Sequence, residues 1–305
     1  MALVCLSTFG ADQGKFAGSA ACRGCHAPIA TFFFRNPHFK SQVTGKPPVD
    51  ASFAKDQPDA IGCESCHGPG HSHIAAKGDK KLINAFSLMS PKETLDNCLQ
   101  CHSRQFPRSH IRRSAHTTGE VACTSCHSIH KTATPKLLLA KSQPELCYGC
   151  HTNIRAQFAM PFKHRVNEGF MQCTDCHNPH GVAAATWRMA ARPRMVDQSL
   201  LNEQACLKCH VDQRGPFAFE HAGVRVEGCE TCHSPHGSAN ARLLKRPQVF
   251  TLCLECHNGA GSFGRQADGV IAQSPSHSMT NPRYQNCTAC HVRIHGSNAD
   301  ARFLR

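Results

Sequence analysis

The stretch CTDCHNPHG, residues 173–181, returns almost unchanged as CETCHSPHG at 229–237. Each copy packs two cysteines and two histidines into eight residues, far denser than ordinary core packing requires. Working outward, the C-x-x-C-H core of this stretch occurs ten times in 305 residues and takes up 20 of the 21 cysteines. The first cysteines are Cys22, Cys63, Cys98, Cys123, Cys147, Cys173, Cys206, Cys229, Cys253 and Cys287. The second are Cys25, Cys66, Cys101, Cys126, Cys150, Cys176, Cys209, Cys232, Cys256 and Cys290. Each pair is followed by a histidine: His26, His67, His102, His127, His151, His177, His210, His233, His257 and His291. A bare C-x-x-C serves equally as half a zinc site, a redox dithiol or a disulfide, but none of these needs histidine at the next position every time. The motif instead marks covalent attachment of c-type haem. Both thiols become thioethers to the porphyrin, and the histidine sits under the iron as an axial ligand. Ten c-type haems are expected.

Twelve histidines remain, and most keep register with the motifs. His38, His116, His164, His221 and His277 each fall shortly before every second motif. His73 (or His71), His130, His180, His236 and His295 fall just after the same motifs. The chain therefore reads as five dihaem repeats of the form C-x-x-C-H…H…C-x-x-C-H-x(2–5)-H, with two histidines per iron. A lone loop histidine is ordinarily a polar surface residue; a register shared by five repeats argues for ligation. Every haem is read as bis-histidine, with His38, His73, His116, His130, His164, His180, His221, His236, His277 and His295 as distal ligands. His110 and His71 are left as ordinary residues. His180 follows His177 by three residues, a span of roughly 10 Å at full extension. The chain does not readily round a porphyrin edge in that distance, so His180, His130 and His236 are expected to serve the iron of a different haem. Which haem each serves is not legible in the sequence.

One Trp, two Tyr, 18 Pro and 22 Gly leave little for a conventional core, so the porphyrins are expected to supply the apolar interior. The fold class expected is a multihaem cytochrome c: short α-helices and irregular loops around an extended chain of ten haems, with almost no β structure. SPKETLDNCLQCH (90–102) carries a capping box, with Ser90 as N-cap, Pro91 at the first helical position and Glu93 three residues on. SQPELCYGCH (142–151) repeats the logic with Ser142 and Glu145, and DQSLLNEQACLKCH (197–210) suits a short helix. Residues 14–305 read as one elongated decahaem domain of two pentahaem-like halves, about 14–152 and 153–305. Residues 1–13, MALVCLSTFGADQ, read as the remnant of an export signal without its basic region, with Cys5 leaving alongside it.

The formal charge of +13 would ordinarily suggest an acidic partner or nucleic acid. Haem propionates and ferric cores change that reading, bringing the oxidised holoprotein to about +3 and the reduced form to about −7. Excess Lys and Arg are expected to pair with propionates; RMAARPRM (188–195) reads as a solvated basic loop. Nucleic-acid binding is not supported. No run approaches 18 consecutive apolar residues, so no transmembrane helix is expected.

The motif count, the alternating repeats and the C-terminal CTACHVRIHGSNADARFLR (287–305) resemble the MtrA/DmsE family of decahaem c-type cytochromes. So do CESCHGPGHSH (63–73), VACTSCHSIH (121–130), CTDCHNPHG and EHAGVRVEGCETCHSPHGS (220–238). The resemblance covers nearly the whole chain from Cys22, and the ten distal histidines match the family's positions, least clearly around His277. It implies a single wire of ten bis-histidine haems threaded through an outer-membrane β-barrel of the MtrB type. Electrons would pass between periplasmic cytochromes and an outward acceptor or donor, such as an extracellular multihaem cytochrome, metal oxides or Fe(II). An exported protein of the Gram-negative periplasm and outer membrane is expected, with a porin-cytochrome complex as its setting. The alternatives are a soluble periplasmic electron carrier for a terminal reductase and a multihaem reductase. The last is disfavoured because no motif departs from histidine, as an open catalytic iron often requires.

Overall fold

Haem motifs interrupt this chain every few turns, and its helices are correspondingly short. The computed structural model describes residues 15–33, 36–38, 62–103, 108–131, 134–181, 205–224, 228–257 and 281–304. The longest helix among them, Pro91–His102, has 12 residues. Its start is fixed as the sequence predicts: the Ser90 hydroxyl accepts from Glu93 N–H at 3.2 Å, and the Glu93 carboxylate accepts from Ser90 N–H at 2.7 Å. The helix buries Thr94, Leu95 and Leu99 and runs directly into the third motif. Leu95 and Leu99 pack with Ile111, and Cys123 lies against this cluster. Burial of each such leucine contributes about 1.5–3 kcal/mol. The cluster has only three members, in keeping with an interior that side chains alone do not build.

The second predicted helix is present at Gln143–Cys147. Of the third, residues 197–204 lie outside the described residues, and Ala205–Lys208 forms a single 3-10 turn. No named strand occurs among the described residues. Four isolated antiparallel bridges tie loops together instead: His127 with Leu138, Phe162 with Ser238, Phe219 with Ser297 and His233 with Leu244. Short helices and irregular loops are thus the observed fold class.

The chain divides into two compact units. The first is Met1–Ser142 with Pro179–Ala184, and the second is Gln143–Asn178 with Ala185–Arg305. One of the three boundaries falls inside CTDCHNPHG, between Asn178 and Pro179.

Candidate haem centres

A single local turn presents every motif. The backbone N–H of His26, His67, His127, His151, His177, His210, His233, His257 and His291 donates to the carbonyl of the first cysteine of its own motif, at 2.9–3.0 Å in each. His102 reaches a comparable position as the last residue of a continuous helix. One closed turn puts both cysteines and the histidine in the same relative disposition each time. This is the donor set that covalent haem attachment requires, so the residues fit the group.

The first cysteines of each repeat also meet one another. Cys98 and Cys123 share a thiol–thiol hydrogen bond that pushes Cys98 up and holds Cys123 at about 7. The same bond recurs between Cys147 and Cys173, and between Cys206 and Cys229, again with the second partner held at about 7. Burial and then the neighbouring Cys63 push Cys22 up to about 11, and burial and then Cys287 push Cys253 up to about 12. All five repeats therefore bring their two attachment sites edge to edge.

The remaining histidines come to the proximal ones in pairs. In the first unit His26 faces His73 with ring centroids 6.4 Å apart, and His38 faces His102 at 5.9 Å. His67 faces His130 at 6.0 Å, and His127 faces His180 at 6.1 Å. In the second unit His164 faces His210 at 6.3 Å and His177 faces His236 at 5.8 Å. His221 faces His257 at 6.1 Å and His233 faces His295 at 6.2 Å. A metal about 2 Å from one nitrogen of each of two opposed imidazoles places the ring centroids about 6 Å apart. Eight pairs hold that separation, too wide for rings in direct contact. Burial pushes His38, His67, His130, His177, His180, His221, His236 and His295 below the usual imidazole range, favouring the neutral ring that ligates metal.

The pairing follows a rule that spacing alone did not reveal. His38, His164 and His221, each before the second motif of its repeat, face the first motif of the next repeat. His130, His180, His236 and His295, each after the second motif, face the second motif of the preceding repeat. His73 turns back to the first motif of its own repeat, and it is His73 rather than His71 that stands opposite His26. His116 is placed by its Nδ1, 3.2 Å from the Pro179 carbonyl. His151 is the N-cap of helix Thr152–Gln157, and His291 donates from Nδ1 to the Arg302 carbonyl at 2.5 Å. His277 lies outside the described residues.

The glycine of the repeated stretch has its own task. Gly181 sits at φ +90°, and a Cβ there would be driven into the carbonyl of His110. At Gly237 a Cβ would strike the carbonyl of Gln157. The H-G pair thus holds His180 and His236 on a backbone pressed against a neighbouring segment.

Three further residues of the site stand outside the sequence reading. Asn36, 5% exposed, accepts from His38 Nδ1 at 3.2 Å and donates to the Ile129 carbonyl at 2.5 Å. Gln157 Oε1 lies 3.0 Å from His236 Nδ1. Glu64, 3% exposed, accepts from the N–H groups of Ala17 at 2.9 Å, Gly18 at 2.8 Å and Gly70 at 2.7 Å, clipping the segment before the first motif onto the second. Only the recurrence of Glu at the same motif position in CETCH hinted at Glu64.

The doubled CXXCH motif family matches residues 116–156 and 221–262, and the cytochrome c554 and c-prime family matches 71–128. The repeated attachment turn, the histidine pairs and these matches define a multihaem c-type cytochrome, an electron-transfer protein with covalently bound haem. The chain is 34% identical to the multiheme cytochrome MtrA of Shewanella baltica over 247 residues, 77% of this chain and 68% of that protein. It belongs to the MtrA family of multihaem cytochromes. It is also 24% identical to the high-molecular-weight cytochrome c of Nitratidesulfovibrio vulgaris, over 95% of this chain but only 49% of that protein. Similarity to the cytochrome c-type protein NrfB of Escherichia coli is 28% over 45% of this chain and 66% of that protein.

Proposed function

We propose that the chain carries ten bis-histidine c-type haems and conducts electrons across the outer membrane inside a β-barrel partner of the MtrB type. It would link periplasmic cytochromes to an extracellular multihaem cytochrome, metal oxides or Fe(II). The haems supply one-electron exchange at iron. The chain's residues hold them in order, and the observation that carries the reading is the staggered histidine pairing. A histidine from one repeat faces the motif histidine of a neighbouring repeat, so neighbouring repeats would share coordination and hold each haem against the next. His277 belongs to the proposed ligand set on sequence grounds alone, and His116 completes it.

The physics of the bilayer supports the barrel as part of this proposal. No helix among the described residues is long and apolar enough to cross a membrane. Carrying charge through about 30 Å of hydrocarbon on such a chain requires a closed sheath that satisfies its own backbone groups. All ten motifs end in histidine, and among the described residues eight motif histidines face a second histidine ring, which favours an electron conductor over a reductase. The deciding experiment uses sealed liposomes with an enclosed redox dye and an external reductant, with this protein added with and without a barrel partner. Dye reduction is expected only when both are present. No transfer despite verified co-insertion would overturn the conduit and favour a soluble periplasmic carrier.

A further inference from the structure

Imidazole donor strength depends on what the second ring nitrogen touches, because an N–H donating to a good acceptor makes the other nitrogen a stronger ligand. In this protein most of those acceptors are backbone carbonyls. Nδ1 of His67, His127, His233 and His291 meets the carbonyl of Asn84, Lys136, Arg242 and Arg302. Nδ1 of His73, His116 and His164 meets that of Asp79, Pro179 and Pro235. His236 differs. Its Nδ1 lies 3.0 Å from a side-chain amide oxygen, that of Gln157, which is 79 residues away in sequence.

The placement of Gln157 is built in several independent ways. It ends helix Thr152–Gln157, whose N-cap is the motif histidine His151. Its carbonyl faces Gly237, where no Cβ fits, so the residue after His236 is pressed onto the helix end. Phe158, 6% exposed, packs its ring 5.2 Å from that of His236. The imidazole is thus bounded by Phe158 and Gln157 and stands 5.8 Å from His177.

We infer that Gln157 is a positioning residue that sets the donor strength of His236, and through it the reduction potential of the haem attached at Cys173 and Cys176. The inference rests on reading His236 as the axial partner of His177. With Nδ1–H donating to the amide oxygen, Nε2 is the nitrogen left for iron. The hydrogen bond pushes electron density toward the iron and stabilises its ferric state.

The test compares full-length holoprotein with Gln157→Leu and Gln157→Glu, after a haem assay shows that each variant retains its full complement. Spectroelectrochemical titration and electron paramagnetic resonance are then recorded. Leu removes the acceptor, so one haem's share of the signal is expected to move to higher potential. Glu, nearly isosteric, strengthens the acceptor and moves the same share lower. The expected size is about tenfold in the ferric-to-ferrous ratio at fixed potential, or 59 mV for a one-electron couple. One low-spin signal should change its g-values in both variants. A purely structural role would move both variants in one direction or neither, and either result overturns the assignment. If Leu disrupts haem incorporation, the downward shift with Glu carries the test alone. A high-spin ferric signal from that haem in the unaltered protein would instead overturn the bis-histidine reading, which separates the two failures.

Discussion

Loops 123–139 and 229–245 lie in different compact units, share five of the twelve positions outside the haem motif, and fold alike at their described residues. CTSCHSIHKTATPKLLL opens with the 3-10 turn Cys123–Ser125, and CETCHSPHGSANARLLK with Cys229–Thr231. His127 donates to the Lys136 carbonyl at 2.9 Å, and His233 to the Arg242 carbonyl at 2.8 Å. Both acceptor residues take a left-handed backbone, φ 61° at Lys136 and 59° at Arg242. A bridge closes each loop, and the proximal ring lies within 15° or 25° of parallel to its partner. The placing of the motif histidine is therefore specified by short-range backbone geometry that tolerates changed side chains.

The loops part company at the distal ligand. In the second, the carbonyl of Pro235, just before His236, accepts directly from His164 at 2.7 Å. In the first, the carbonyl of Ile129, just before His130, accepts from Asn36, which in turn accepts from His38. One construction uses a histidine–carbonyl contact and the other inserts an amide relay. The resulting ring pairs are strongly turned, 60° for His38 with His102 and 69° for His164 with His210. The difference teaches that the proposed distal ligands are tied to other repeats by long-range contacts that different residues make.

The strongest way to break this equivalence is to remove the ligands themselves. His130→Ala and His236→Ala are each expected to leave haem attached through its thioethers while converting one low-spin iron to high spin. Electron paramagnetic resonance would register one new high-spin centre per variant, at the haem of His67 in the first and of His177 in the second. If either variant left the spectrum unchanged, the pairing rule would fail at that repeat.

Gly237→Ala is a smaller but instructive perturbation. A methyl there meets the Gln157 carbonyl, a backbone atom that cannot swing aside. The cost is expected to exceed about 1 kcal/mol, read as a lower unfolding midpoint, accompanied by a disturbed signal from the haem of His177. Gly181→Ala should behave in kind through the His110 carbonyl. Equal stability for variant and parent would show that the loop relaxes without loss.

What the sequence made legible follows the same division. Attachment sites, proximal ligands and the count of distal candidates are local patterns, and they stood out because they recur. Helix Pro91–His102 was readable because Ser90, Pro91 and Glu93 are adjacent in sequence. The pairing was not readable, since His38 meets a motif 64 residues away and His295 one 62 residues back. Asn36, Gln157 and Glu64 were invisible for a related reason. Each acts through a contact whose partner lies far along the chain, and a lone amide or carboxylate carries no periodicity to mark it.

Asn36 offers the finest test, because it asks whether the relay does what the direct contact does. Asn36→Ala removes three hydrogen bonds from a buried position, each worth about 1 kcal/mol net, and leaves the Ile129 carbonyl, the His38 backbone N–H and His38 Nδ1 without this partner. The expected loss is about 2–3 kcal/mol, together with an upward shift in potential confined to the haem of His102, whose proposed distal ligand loses its acceptor. Asn36→Asp keeps the acceptor for His38 and abolishes the donor to Ile129. It should hold the potential at or below that of the parent while still losing stability. Separating the two readouts in this way would show that the amide has two distinct duties, orienting a ligand on one side and joining repeats on the other. The direct His164–Pro235 contact performs both with a single bond. An unchanged potential in both variants would reduce Asn36 to a structural link and leave the carbonyl-based construction as the only one that tunes a ligand.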